Sequence, residues 1–297
     1  MNNPHPGLPE FEYVKPASLK EASEFLAGHA GEARLLLGGT DCFVRMRDGI
    51  MKVKYLVDVK GLDGTHQISF DPQEGLVVGA AVNMNAMAAS PLVADNYPLL
   101  AQAARTVASY QLRTRATVVG NICNASPAGD TIGACIVLGG KMRVFGKDGV
   151  RIEPLSKFFL GPGKTVLQPG DIVTALLLPP PIAGGVGKYI KLGRNKLSDL
   201  SIVGVTAYGY ADASAKSGFR FRFALASVAP VPFVPVKAEE IMAAEKITEE
   251  TIKRAAQAAM DSITPIDDVR GSAMYRKHMV RNLVQQAVTE IWHELAR

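Results

Sequence analysis

Two glycine-bearing segments, about eighty residues apart, are the part of this chain best suited to chemistry. The first reads Leu35-Leu36-Leu37-Gly38-Gly39-Thr40-Asp41. The second reads Thr117-Val118-Val119-Gly120-Asn121, followed by Ala125-Ser126-Pro127-Ala128-Gly129-Asp130. Each follows an apolar or β-branched run and leads toward a helix-like stretch. Glycine lets the backbone approach an anion closely, and successive N–H groups at such a turn form an anion-binding concavity. Two such loops can hold the two phosphates of one dinucleotide from opposite sides. The plainer alternative is a pair of ordinary turns in an α/β protein, with Asn121 and Asp130 as helix caps.

Other nucleotide motifs fail on spacing. Gly184-Gly185-Val186-Gly187-Lys188-Tyr189 has Ile182 where a P-loop needs its first glycine and Tyr189 where it needs Ser or Thr. Gly161-Pro162-Gly163-Lys164-Thr165 has Phe158 at the first-glycine position. No GxGxxG spacing supports a Rossmann nicotinamide site. The three cysteines, Cys42, Cys123 and Cys135, have no CxxC spacing. They are too few for a four-thiolate iron–sulfur cluster or a disulfide framework, which points to a reducing cytoplasm. The net charge of +5 is spread along the chain without interleaved aromatics, which argues against a nucleic-acid surface. No apolar run approaches the ~20 residues of a membrane span, and the first residues lack the pattern of a secretory signal. No catalytic triad or metal-ligand cluster stands out, so no catalytic residue and no metal ligand is assigned.

These segments must be positioned by a chain of 297 residues, long enough for two domains and a sizeable core. Ser18-Leu19-Lys20-Glu21 is a capping box that opens a first helix. A strand over 33–37, a short helix over 42–47 and a strand over 53–59 complete a small α/β unit. A second unit is expected to hold strands at 66–70 and 75–81, a helix at 99–107, a helix capped by Asp130-Thr131, a hairpin of 141–145 with 150–153, and a strand at 171–178. Pro179-Pro180-Pro181 marks the boundary. Beyond it the sequence predicts strands at 187–192, 202–211 and 218–228, then helices at 238–244, 249–260 and 272–295. The expected domains are 1–179, with parts of about 1–60 and 61–179, and 180–297.

The order of motifs resembles a known family. Gly38-Gly39-Thr40-Asp41, then Thr117 to Asp130, then Lys191-Leu192-Gly193-Arg194-Asn195-Lys196-Leu197-Ser198-Asp199, and finally Asp267 to Arg276, are similar to the FAD-binding medium subunit of molybdenum hydroxylases, the xanthine dehydrogenase and carbon monoxide dehydrogenase type. The resemblance covers nearly the whole chain. It implies an α+β fold: a two-part FAD-binding domain of the p-cresol methylhydroxylase/vanillyl-alcohol oxidase type, then a three-stranded antiparallel sheet with a helical bundle. It implies a cytoplasmic flavoprotein carrying non-covalent FAD, which makes His66 no attachment site. Electrons would come from [2Fe–2S] clusters on a small subunit and leave to an external acceptor. A large subunit with molybdenum cofactor would oxidise an N-heteroaromatic or purine, an aldehyde or carbon monoxide. A heterotrimer, doubled, is expected. The competing readings are a stand-alone flavin oxidase and an assembly subunit without FAD.

For individual residues, the resemblance implies that Leu36, Leu37, Gly38, Gly39, Thr40 and Asp41 wrap the FAD pyrophosphate. Thr117, Gly120 and Asn121 would cradle it from the other side, and Asn124 would sit near the ribityl chain or phosphates. Asp130 would accept from a ribose hydroxyl, and Lys191 would lie near the flavin pyrimidine. Ile172 is a further expected contact. Val78 and Leu200 stand where some relatives carry aromatics against the flavin, so stacking there would be aliphatic and weaker.

Overall fold

The computed structural model describes residues 7–195 and 198–297. The first six residues, and Lys196 and Leu197 of the third motif, lie outside the described residues. The capping box forms with one shift: the Glu21 carboxylate reaches past the N-cap Ser18 to the N–H before it. Ser18 Oγ accepts the Glu21 N–H at 3.1 Å, Glu21 accepts the Ala17 N–H at 2.7 Å, and helix Leu19–Gly28 follows. Beside it lies a parallel sheet whose middle strand, Tyr55–Asp58, is flanked by Ala33–Leu36 and Glu12–Val14. The strand Glu12–Val14 has no signature in its three residues; pairing with Tyr55–Val57 makes it a strand. The first glycine segment leaves the C-terminal end of Ala33–Leu36 and enters helix Cys42–Arg47.

A five-stranded antiparallel sheet follows, in the order Ile68–Asp71, Gly75–Gly79, Ile172–Leu178, Lys141–Gly146, Gly149–Pro154. The predicted hairpin closes with Gly146 opposite Gly149. Helices Met84–Ala89, Pro91–Asn96, Pro98–Arg105, Val118–Cys123 and Ile132–Val137 help to build its core. Prolines at the first turns of two of these helices suit positions where the N–H has no partner.

The second glycine segment is a helix start rather than a loop. Thr117 is the N-cap of Val118–Cys123, and Gly120 lies in the first turn. Asp130 does not cap the next helix. That helix, Ile132–Val137, begins after Thr131 without a side-chain cap, because the Asp130 carboxylate is engaged elsewhere.

After Pro179–Pro181, strands Val186–Leu192, Val203–Ala211 and Phe219–Ala226 form an antiparallel sheet. Helices Val236–Ala244, Glu249–Ser262 and Ala273–Leu295 pack on it through a separate apolar core that includes Val205, Phe223, Ala256 and Val284. Helix Ile132–Val137 packs on the other face of this sheet. Gly133 lies so close to Thr206 that any side chain would collide with it. Among the described residues, no helix is long and apolar enough to cross a membrane.

Candidate functional site

A cavity of about 810 Å³ opens where the parallel sheet, the larger sheet and the loop before strand Val203–Ala211 converge. That volume suits a large organic cofactor, since small-molecule sites span roughly 300–1,000 Å³. Leu36 to Asp41 line it, as do Thr117, Gly120, Asn121, Asn124, Asp130 and Leu200. Residues far apart in the sequence therefore line one cavity.

Gly38 explains how the segments meet. A Cβ on Gly38 would land on the Arg115 carbonyl oxygen and reach Ala116 Cα at 3.0 Å. Only a glycine lets the first segment lie against the backbone that enters the second. Gly39 has φ +75°, a left-handed conformation that suits glycine, and a Cβ there would press on the Phe43 ring at 2.7 Å. Among the described residues, no backbone acceptor takes the N–H groups of Gly38, Gly39, Thr40 or Asp41. Four donors on residues that line the cavity thus lack a backbone partner, which fits an anionic group of a bound cofactor. In the second segment the Gly120 N–H is satisfied by Thr117 Oγ1 at 2.9 Å, and Asn121 Oδ1 accepts from Thr131 Oγ1 at 2.8 Å.

Asp130 is a buried charge of the site. One carboxylate oxygen accepts from Tyr189 Oη at 2.6 Å and the other from Lys191 Nζ at 2.8 Å. Lys191 also donates to the Thr106 carbonyl at 3.1 Å. Burial pushes the Asp130 carboxyl above its usual range, against the opposing pull of Lys191 and Tyr189. The Tyr189 hydroxyl is raised well above 10, first by burial and then by the adjacent carboxylate. Asp130 lines the cavity; Lys191 stands outside the lining and holds it. Tyr189 is the member of this network that the sequence did not single out. Its signal was its place two residues before Lys191, on the same face of one strand.

Besides Lys191, two expected contacts do not line the cavity. Val78 is fully buried in the core of the larger sheet, opposite Leu176 and Ile68. Ile172 is 2% exposed and packs with Ala22, Leu26 and Val57. Side chains alternate along a strand, so the neighbour, Val173, takes the cavity face instead. Leu200 lines the cavity and is exposed, at the end of a loop held by Arg194 and Asp199. Arg194 keeps the Asp199 carboxyl down at about 2.

Strain gathers around the cavity. The described non-glycine residues with positive φ are Ala108, Ala125, Ser198 and Ser227. Ala108 and Ser198 line the cavity, and Ala125 sits between the lining residues Asn124 and Ser126. Such conformations persist where the surroundings enforce them, most often at functional sites. Ser227 donates to the Ser201 carbonyl at 2.9 Å, and its N–H bonds the Pro127 carbonyl at 2.7 Å. Arg276, 1% exposed, donates to the carbonyls of Ile202 and Ser227 and to Asp268. The last motif thus braces the segment that follows the second glycine site, a role no local pattern announced.

The thiols are free. Burial pushes Cys123 and Cys135 up to about 12 and also raises Cys42. Among the described residues, no group of three His, Cys, Asp or Glu side chains could hold a metal ion.

Residues 9–181 match a family described as the FAD binding domain in molybdopterin dehydrogenase, and residues 188–291 match the carbon monoxide dehydrogenase flavoprotein C-terminal domain. The carbon monoxide dehydrogenase medium chain of Hydrogenophaga pseudoflava is 30% identical over 290 residues, 97% of this chain and 99% of that one. A xanthine dehydrogenase FAD-binding subunit of Escherichia coli O157:H7 is 26% identical over 279 residues, 94% of each chain. A solved structure of the Hydrogenophaga pseudoflava carbon monoxide dehydrogenase superposes with a TM-score of 0.91 at 30% identity, covering 96% of this chain and 98% of that one.

Proposed function

We propose a function from one premise: this chain belongs to the family of FAD-binding medium subunits of molybdenum-containing dehydrogenases, the xanthine and carbon monoxide dehydrogenase type. On that premise it is the electron-transfer subunit of its complex. The observation that carries the reading is the cavity itself, where a glycine turn with unpartnered N–H groups faces a second glycine segment and a buried carboxylate.

Leu36 to Asp41 would hold the FAD pyrophosphate through backbone N–H groups, with Thr117, Gly120, Asn121 and Asn124 on the opposite side. Asp130 would take a ribose hydroxyl. Its two oxygens are fixed by Tyr189 and Lys191, so the carboxylate is oriented before a cofactor arrives. Lys191 acts on the site through Asp130 rather than by direct contact. Leu200 supplies an aliphatic, exposed cover. It lacks the extra ~0.5–1.5 kcal/mol of an aromatic pair, which leaves the flavin accessible. Bound there, FAD would accept electrons from [2Fe–2S] clusters on a small partner and release them to an external acceptor. The chain's own part is to bind, orient and shield. A large partner with molybdenum cofactor would oxidise the substrate, an N-heteroaromatic or purine, an aldehyde or carbon monoxide. The assembly would be a dimer of heterotrimers, and three free thiols suit a reducing cytoplasm.

The test is an absorbance spectrum of the complex purified from its native host, with its chains identified by mass. Flavin bands with iron–sulfur absorbance and two partner chains are expected. A colourless protein would overturn FAD binding, and flavin without partners would favour a stand-alone oxidase.

A further inference from the structure

The cavity carries an unbalanced charge. Three of its carboxylates are already paired: Asp130 with Lys191 at 2.8 Å, Asp171 with Arg151 at 2.5 Å and Asp199 with Arg194 at 3.3 Å. The other charged lining residues are Arg34, Arg45, Lys164 and Asp41. Among the described residues, none of these four side chains is held in an ion pair or a side-chain hydrogen bond. With those three carboxylates neutralised by cations just outside the lining, three positive charges against one negative leave a net of +2 among the unpaired charges.

The positive charge is placed at the glycine segments. Arg34 lies on the strand that runs into the first segment. Its charge is felt by the thiols of Cys42, just beyond the first segment, and Cys123, within the helix of the second. Both thiols are raised by burial, and Arg34 pulls each of them back. Arg45, one helical turn beyond Cys42, acts on that thiol as well. Lys164 belongs to the hairpin Phe159–Thr165, whose Gly163 N–H bonds the Ala125 carbonyl at 3.0 Å beside the second segment.

We propose that Arg34, assisted by Arg45, is the charged clamp for the diphosphate of the bound dinucleotide, so that this site selects FAD over phosphate-free flavins by charge as well as by backbone N–H groups. The inference rests on reading the cavity as the FAD site. A diphosphate diester carries two negative charges at neutral pH, the number the wall leaves unmatched. The N–H groups of Gly38 to Asp41 fix its position but are neutral. A guanidinium adds the planar, paired donors that phosphate oxygens accept best. Binding driven partly by such exposed charges must weaken as salt is added.

The experiment uses the full chain stripped of flavin, titrated with FAD and with riboflavin at low and at raised salt, following flavin fluorescence. Arg34→Ala and Arg45→Ala are each expected to weaken FAD binding by about tenfold or more, the size of a lost charged hydrogen bond. Arg34→Lys should lose less. Riboflavin affinity should not change in any variant, and the salt dependence of FAD binding should shrink. FAD affinity and salt dependence equal to wild type in both alanine variants would overturn the clamp while leaving the FAD site intact. A wild-type chain that binds neither flavin would overturn the FAD reading itself, and the clamp with it.

Discussion

The two glycine segments look alike in sequence and are built differently. In the first, Gly38 and Gly39 form an open turn at the end of a parallel strand, with N–H groups that have no backbone partner. In the second, Gly120 sits in the first turn of a helix, and its N–H is taken by the Thr117 side chain at 2.9 Å. The first segment is short of acceptors; the second has satisfied part of its own need. The glycines also serve different ends. Gly38 allows one backbone to lie on another, whereas Gly120 leaves room only for the end of a threonine side chain. A glycine in a phosphate-like motif can therefore be required by a neighbouring strand of protein as much as by a ligand.

Substitution separates the two cases. Gly38→Val should have the largest effect. The Arg115 carbonyl cannot swing aside as a side chain would, so the segments must part. We expect flavin content to fall to background and stability to drop by about 3 kcal/mol, the upper end of overpacking costs, read by flavin absorbance and urea unfolding. Asp130→Asn tests the carboxylate that follows the second segment. It leaves Lys191, only 12% exposed at its side chain, without its countercharge. A cost of about 2 kcal/mol is expected, below the range for breaking a fully buried pair because Asn keeps part of the hydrogen bonding.

The same variant should change the pH profile of unfolding. Asp130 has a folded-state pKa above the ordinary 3.8, so the folded protein holds that proton more tightly than the unfolded chain. Its contribution is complete below 3.8 and is lost as pH rises through the raised value. Asp130→Asn should lack that decline, and an unchanged profile would refute the assignment. Gly120→Ala should be mildest. Its Cβ would meet Thr117 Oγ1 at 2.8 Å, and a rotation of that hydroxyl relieves the contact at the cost of the helix cap. About 1 kcal/mol is expected, with most of the flavin retained. Equal losses in Gly38→Val and Gly120→Ala would mean that the two segments do the same work after all.

Much of the architecture was legible. The capping box at Ser18, the hairpin around Gly146 to Gly149 and the proline break after Leu178 are local signals with local causes, and each stands where its residues predict. The strand Glu12–Val14 was not legible, because a three-residue edge strand is made by its partner. The glycine segments and Asp130, singled out by residue type, do come together around the cavity. Val78 and Ile172, also expected to touch a cofactor, lie behind the cavity and not on its wall. There the sequence identifies a strand, but which face of the strand meets the cavity depends on what packs behind it.

The amino-acid sequence by itself determined that a glycine turn follows the apolar strand over 33–37, that a capping box opens the first helix and prolines end the strand before residue 179, and that helices close the chain. Tertiary structure alone decided that Gly38 touches Arg115, that Tyr189 and Lys191 converge on one carboxylate, and that Arg276 reaches back to brace Ser227. The physical reason is range. Turn geometry, capping and periodicity act over a few residues, whereas a buried charge or a close backbone contact is settled by partners tens of residues away, which come together only once the sheets have packed.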